Sequence, residues 1–297
     1  MNASMRVSCS VAATLGWWLA TSVSEAAWAQ SADPPDKSQY WLLNPVPADQ
    51  TRDFNTDRPP KANSPYTVDA GHFQYESDIV NFANLVTGPV HTDTLLVPNP
   101  TFKVGLTNNI DFEVNAPTLV GVHTFNSATN VSSTIWGIDD VFVRTKFNLW
   151  GNDGGTSAFA LIPYVKAPSD TPVISNGVVE GGMIAPLRLA LNADYSIVVM
   201  SEFDALKKAD SLRRYANFAN LINISGPIPG VNIKDLTATL EFYAEAGTDP
   251  HTPTIYTFDT AFAYLITPTV QVDAGIDFGL NKAAPKIQPF VGLSQRF

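Results

Sequence analysis

Cysteine is nearly absent from this sequence: Cys9 is the single one in 297 residues. Charged residues are also scarce, at 15% of the chain, and unbalanced, with 18 Lys and Arg against 28 Asp and Glu and a formal net charge of −10. A chain without a basic surface is not expected to bind nucleic acid. If the amino-terminal leader is removed, the mature chain has no cysteine, so disulfide bonds cannot stabilise it.

Long apolar runs are missing after the first thirty residues, so the sequence predicts no transmembrane helix there. Residues 1–29 have the pattern of a signal peptide, because Arg6 precedes the apolar stretch 11–20, and Ala27 and Ala29 fit the small-residue cleavage rule. We therefore expect export with cleavage after Ala29. An exported protein without disulfides needs another source of stability, and a closed sheet in a membrane provides one.

Residues 30–70 are rich in proline and aperiodic, which predicts an extended segment ahead of the folded domain. From residue 71 to residue 297, apolar and polar residues alternate in stretch after stretch. In 270–280, for example, every even position is apolar and every odd position is polar or glycine. Such alternation indicates strands with one apolar and one polar face.

About twelve strands are predicted, most of them close to the ten or so residues that a tilted strand needs to cross a bilayer. They are expected near 72–82, 94–106, 110–116, 138–150, 156–166, 182–191, 195–204, 214–225, 234–246, 255–266, 270–280 and 287–297. Short turns such as 107–109 alternate with longer loops such as 83–92 and 119–137. We therefore predict an all-β fold, an up-and-down antiparallel transmembrane β-barrel of about 12 strands with an extended N-terminal segment.

Several stretches, taken in their order and spacing, resemble one known family. They are FNTDRP (54–59), SPYTVDAGHFQYES (64–77), LIPYVKAPS (161–169), EGGMIAPL (180–187), DAGIDFGL (273–280) and FVGLSQRF (290–297). The chain from about residue 53 to its end is similar to the outer-membrane family named for the meta-pathway of phenol degradation. The resemblance implies a β-barrel in the outer membrane of a Gram-negative bacterium that transports aromatic or other hydrophobic compounds. It implies neither catalytic residues nor a cofactor.

If the apolar faces contact lipid, the polar faces line a lumen. The predicted pore-lining residues share this inward parity and are Glu76, Asp78, Lys103, Asp111, Glu113, Arg144, Lys146, Arg188, Glu202, Glu241, Glu245, Asp259, Asp273, Asp277 and Arg296. Inward acids outnumber inward bases, so an open, net acidic lumen is expected to favour cations.

Turn geometry also predicts which charges face each other. Pairing across the 107–109 turn places Lys103 opposite Glu113, and pairing across 267–269 places Asp259 opposite Asp277. Two facing carboxylates repel each other, and one of them is protonated more readily unless a cation lies between them. We also expect Arg296 to reach Asp273 diagonally. One interpretation is a site for a cation or a polar group in the pore. The alternative is that these charges are solvated or form a ladder that braces the barrel wall.

Asp57 and Arg58 lie a dozen residues before the first strand. If the amino terminus starts in the periplasm, Arg58 is expected to reach acids near the lower mouth, such as Asp273, and the segment would act as a partial plug. A loose tether is the alternative.

Two other classes of barrel stay open beside a channel or transporter. An outer-membrane lipid hydrolase would need a Ser–His pair, but His72 lies at the start of the first strand and His91, His123 and His251 fall on predicted loops without a partner serine. Their spacing does not indicate a metal site either. A structural or adhesive barrel is the third class. We predict a non-enzymatic channel, whose partners are outer-membrane lipid, a small solute and the barrel-insertion machinery, which would read the last strand ending in Phe297.

Overall fold

The computed structural model describes residues 36–169, 171–209 and 211–297, so the predicted signal peptide lies outside the described residues. One 15-stranded sheet, in which every pairing is antiparallel, accounts for most of the chain. Its strands are β1 (Phe73–Thr87), β2 (Val90–Leu96), β3 (Asn99–Thr107), β4 (Ile110–Asn115), β5 (Val120–Asn126), β6 (Val131–Gly137), β7 (Val141–Trp150), β8 (Ser157–Ala167), β9 (Glu180–Ala190), β10 (Ser196–Lys207), β11 (Arg214–Gly226), β12 (Leu236–Gly247), β13 (Ile255–Thr267), β14 (Val270–Gly279) and β15 (Ile287–Arg296). A short 3-10 helix spans Ala48–Gln50. In the described part of the chain, no helix is long and apolar enough to cross a membrane.

The sheet closes on itself because β15 pairs with β14 on one side and with β1 on the other. Twelve strands form this closed barrel, in the order β1, β3, β4, β7 and then β8 to β15. Side chains alternate as the sequence predicts, since Phe203 and Phe218 are exposed on the outer face while Asp204 and Asn217 are buried on the inner face. The predicted fold class and strand number are therefore confirmed.

The remaining strands, β2, β5 and β6, extend the barrel wall at the rim where the longer connections lie. The first part of β1 pairs with β3 and its second part pairs with β2, which in turn pairs with β5 and β5 with β6. The prediction of loops at 83–92 and 119–137 is therefore wrong, and His91 and His123 lie on strands. Strand pairing continues past the length of a bilayer crossing because each neighbour still supplies hydrogen-bond partners for the backbone.

Residues 51–70, which we call the lumen segment, run inside the barrel and contact walls on several sides. Asp57 contacts Lys146 on β7, Arg58 contacts Asp273 on β14, and Lys61 contacts Asp259 on β13. At its end, Ala70 forms a parallel bridge with Gly105 on β3. A side chain at Gly105 would collide with the Asp69 carbonyl, so glycine permits this close approach. The segment is thus fixed by long-range contacts and is not a loose tether.

Candidate functional site

Asp57 is held between two lysines of the barrel wall. Its carboxylate contacts the ammonium groups of Lys103 on β3 and Lys146 on β7, the latter at 3.0 Å. The Lys103 ammonium also lies 2.6 Å from the carboxylate of Glu76. Lys103 and Glu113 are opposite each other in the register, as predicted, but their charged groups are 3.8 Å apart. The lumen segment therefore supplies a closer anion to Lys103 than the predicted cross-strand partner does.

Two further predicted residues lie beside this cluster on the same wall. The backbone N–H of Val68 donates to Oδ2 of Asp111 at 3.0 Å. Arg144 lies opposite Glu113 in the register of β4 and β7, and its guanidinium stands over the Phe142 ring at 5.6 Å. Asp111 thus helps to position the end of the lumen segment.

Arg58 joins the lumen segment to two strands at once. Its Nη1 lies 2.6 Å from Oδ1 of Asp78 on β1. Its Nη2 and Nε donate to the two carboxylate oxygens of Asp273 at 2.6 and 3.1 Å, a bidentate arrangement that guanidinium geometry favours. The guanidinium also stands over the Phe290 ring at 5.6 Å and rests on Gly292, where a Cβ would overlap it. Arg58 therefore occupies the position that the sequence predicted for it.

Lys61 is the cation between the two facing carboxylates. Asp259 and Asp277 are direct partners across β13 and β14, as predicted, and each lies 2.6 Å from the Lys61 ammonium. The backbone N–H groups of Lys61 and Ala62 donate to the carboxylate of Glu241 at 2.9 and 3.2 Å. The sequence left open either a cation or a proton between these carboxylates. No local pattern connects position 61 with strands some two hundred residues further on, so Lys61 was missed.

One wall of the lumen is apolar. Ala62 packs against a buried cluster of inward residues on β8, β9, β10 and β11, namely Ile162, Tyr164, Ile184, Met200 and Leu221. Burial of apolar surface stabilises the segment at about 25 cal/mol per Å². The segment thus combines ion pairs on one side with an apolar contact on the other.

The other predicted acids lie away from the lumen segment's basic residues. Glu245 accepts hydrogen bonds from Tyr243 at 2.8 Å and from Asn217 at 3.0 Å. Asn217 also donates to Asp204, with which Glu202 shares the inner face of β10. These acids form a separate polar patch of the wall.

The two remaining predicted arginines bind the lumen segment or the residues around it. Arg188 donates to the Tyr66 hydroxyl at 3.1 Å. Arg296 donates to the carbonyl of Arg52 at 2.7 Å and lies 3.7 Å from the carboxylate of Asp69. The prediction that Arg296 reaches Asp273 is wrong, because the register places Gly292 opposite Asp273, and the backbone N–H of Arg296 donates to the Thr269 carbonyl, four residues away from Asp273 along the chain.

A second charged cluster, which the sequence patterns did not predict, lies at the rim of short turns. The Lys37 ammonium is 3.3 Å from Asp69 and 3.1 Å from Asp153, and Nε of Arg52 donates to Asp153 at 2.8 Å. Burial alone would raise the pKa of Asp153, but hydrogen bonds from Arg52 and Asn108 outweigh it and hold that pKa below its ordinary value. This cluster fixes the start of the lumen segment.

Cavities flank the lumen segment. One of about 560 Å³ lies toward the turn after β7 and is lined by Arg52, Tyr66 and Asp153. Another of about 510 Å³ lies toward β10 to β13 and is lined by Pro60, Val198 and others. A smaller one of about 180 Å³ lies between Arg58 and β1, β3 and β4. The segment thus divides the space inside the barrel.

No group of three histidine, cysteine or acidic residues able to hold a metal ion occurs in the part of the chain that the structure describes. Of the histidines, His72 contacts the carbonyls of Val46 and Phe297, and His123 contacts the hydroxyl of Thr134.

Residues 56–297 match the family described as "Putative MetA-pathway of phenol degradation". The chain belongs to this family. The match covers the lumen segment from Thr56 onward together with the whole barrel, so both parts are features of a family member. No curated protein is detectably similar to the chain in sequence.

Solved structures similar to this family member are outer-membrane barrels. An outer membrane channel from Pseudomonas putida F1 superposes with a TM-score of 0.55 at 12% identity, covering 76% of this chain and 93% of that chain. The NanC porin has a TM-score of 0.48 at 10% identity, covering 75% and 98%. The CymD monoaromatic hydrocarbon channel has a TM-score of 0.43 at 7% identity, covering 76% and 87%. The first of these shows that the family member has the fold of an outer-membrane β-barrel.

Proposed function

We propose that the protein is an outer-membrane channel for small solutes, closed in this conformation by the lumen segment. The observation that carries the proposal is the set of anchors made by Asp57, Arg58 and Lys61. These three consecutive anchors bind β3 and β7, β1 and β14, and β13 and β14. A purely structural barrel has no need for a segment held by side chains on several walls, whereas a closed channel does.

The lumen wall supports small aromatic or otherwise apolar solutes as the transported class. Its apolar part, formed around Ile162, Met200 and Leu221 and covered by Ala62 in this conformation, offers contact to a ring or an alkyl group once the segment leaves. Its charged part provides polar partners for a substituent, as ligand sites with a few placed polar groups generally do. The family description, which refers to phenol degradation, agrees with this class.

The ion selectivity of the open channel follows from the same contacts. In the closed conformation, Asp78, Asp259, Asp273 and Asp277 are neutralised by cations of the lumen segment. When the segment leaves, these carboxylates face the water-filled lumen without their partners. We therefore expect the open channel to favour cations over anions.

The test is conductance in planar lipid bilayers of the full chain and of a variant in which residues 54–66 are replaced by a Gly-Ser linker. The variant should conduct several times more than the full chain and should favour cations. Replacement of the exposed residues 229–234 by the same kind of linker is the control and should change nothing. A folded variant that conducts no better than the full chain would contradict the proposal. Release of fatty acid from phospholipid by the full chain would instead favour the lipid hydrolase.

A further inference from the structure

The ammonium group of Lys61 lies in a site that the barrel wall builds around it. Oδ2 of Asp259 and Oδ2 of Asp277 each accept a hydrogen bond of 2.6 Å, and the hydroxyl of Thr257 lies at 3.4 Å. The ring of Tyr243 faces the same nitrogen at 5.5 Å from its centroid. Two carboxylates and an aromatic face are the groups that recognise an organic ammonium ion.

The lysine leaves one acceptor of this site without a hydrogen bond. Oδ1 of Asp259 has no hydrogen-bond partner among the residues that the structure describes, although Asp259 is only 5% exposed. A buried carboxylate oxygen without a partner is costly, and a ligand that donates to it would remove this cost. The Lys61 side chain is itself 29% exposed, so water inside the barrel reaches the site.

The site lies toward the rim with the longer connections. Asp259 is near the start of β13, and Asp277 is near the end of β14. In outer-membrane barrels the longer connections face the outside of the cell. A solute that enters from outside would therefore meet this site before the anchors of Arg58 and Asp57.

We propose that Asp259, Asp277, Thr257 and Tyr243 form a binding site for small organic cations with N–H donors, namely primary amines and guanidines. Lys61 occupies this site as a tethered competitor. A cation that displaces Lys61 releases the part of the lumen segment around it from β13 and β14. This role in opening rests on the proposed channel function. A guanidinium can donate to both oxygens of Asp259, whereas the lysine ammonium uses one.

Binding of 2-phenylethylamine to the detergent-solubilised full chain tests the site by isothermal titration calorimetry. Lys61→Ala vacates the site and should bind the amine at least about tenfold more tightly than the native chain, because a tethered competitor acts at an effective concentration on the order of millimolar or higher. Lys61→Ala combined with Asp259→Asn should lose this binding. Lys234→Ala, which alters a lysine whose side chain is 91% exposed, should behave like the native chain.

2-Phenylethanol, which has the same ring but no charge, is the ligand control and should not bind the vacated site. Equal affinity of Lys61→Ala for the amine and the alcohol would overturn the amine site, as would equal affinity of the native chain and Lys61→Ala for the amine. Circular dichroism and heat-modifiable gel migration verify that each variant is a folded barrel.

The calorimetric result does not depend on conduction. Amine binding by Lys61→Ala together with no conduction from the linker variant would reject the channel function and retain the binding site. Conduction by the linker variant without amine binding by Lys61→Ala would reject the site and retain the channel. If both hold, the amine should raise the open fraction of the native channel, and unchanged gating would overturn the role in opening.

Discussion

The guanidinium of Arg58 binds both oxygens of the Asp273 carboxylate, although 215 positions separate the two residues in the chain. The same side chain reaches Asp78 on β1, so one residue of the lumen segment joins strands on either side of β15, whose partners are β14 and β1. This contact crosses the point where the barrel closes. It therefore links the position of the lumen segment to the closed wall.

Replacement of Arg58 by alanine should open the channel. It removes charge-assisted hydrogen bonds worth roughly 1.5–3 kcal/mol, which would shift the closed-to-open equilibrium about ten- to a hundredfold. Single-channel recording in planar bilayers measures this as a higher open fraction. Arg213→Ala, which changes an exposed arginine, is the matched control. Unchanged conductance in Arg58→Ala would contradict a closing role for the segment.

Gly292→Ala should also raise the open fraction, although the sequence of the lumen segment is unchanged. The Arg58 guanidinium rests on Gly292, and the added methyl group would occupy its place, so the bond to Asp273 would be lost. We expect the open fraction of Gly292→Ala to match that of Arg58→Ala. The double variant should show no further increase, because both changes remove one interaction. An additive increase would show that Gly292 acts through another contact.

Lys146→Met should destabilise the protein. The substitution leaves the carboxylates of Asp57 and Glu113 with Lys103 as their nearest cation, and breaking a buried ion pair costs roughly 3–5 kcal/mol. Urea unfolding followed by tryptophan fluorescence measures the loss. Adding Asp57→Asn should recover part of it, because one carboxylate fewer then competes for the Lys103 ammonium. Lys234→Met at an exposed position should stay within about 0.5 kcal/mol of the native chain.

The contacts of Asp153 should make stability depend on pH in the acidic range. Because the folded-state pKa of Asp153 lies below the ordinary value of 3.8, its contribution is fully present above that value and is lost as the pH falls through the lower folded-state pKa. Urea unfolding of the native chain and of Asp153→Asn should therefore differ at pH 6 and converge toward pH 2. A difference that persists at low pH would show that packing, and not charge, is responsible.

Local sequence patterns determined the fold and the wall residues of the site. The period-2 alternation assigns each strand residue to the lipid or the lumen face without knowledge of distant contacts. Asp259 lies opposite Asp277 and Lys103 opposite Glu113, as predicted. The turns themselves pair Thr267 with Val270 and Thr107 with Ile110, and a register shift after each turn brings the strands back to the predicted register. The charged inner wall could therefore be read from positions 71–297.

The tertiary structure alone decided what fills the lumen. Lys61 reaches Asp259 and Asp277, and Arg58 reaches Asp273, through contacts between an aperiodic segment and strands far along the chain. Such a segment carries no period that ties its residues to a face or a partner, so the sequence left open whether a proton or a cation lies between Asp259 and Asp277, and which cation. Closure of the barrel brings the opposite walls within reach of one short stretch, and this proximity determines the partners.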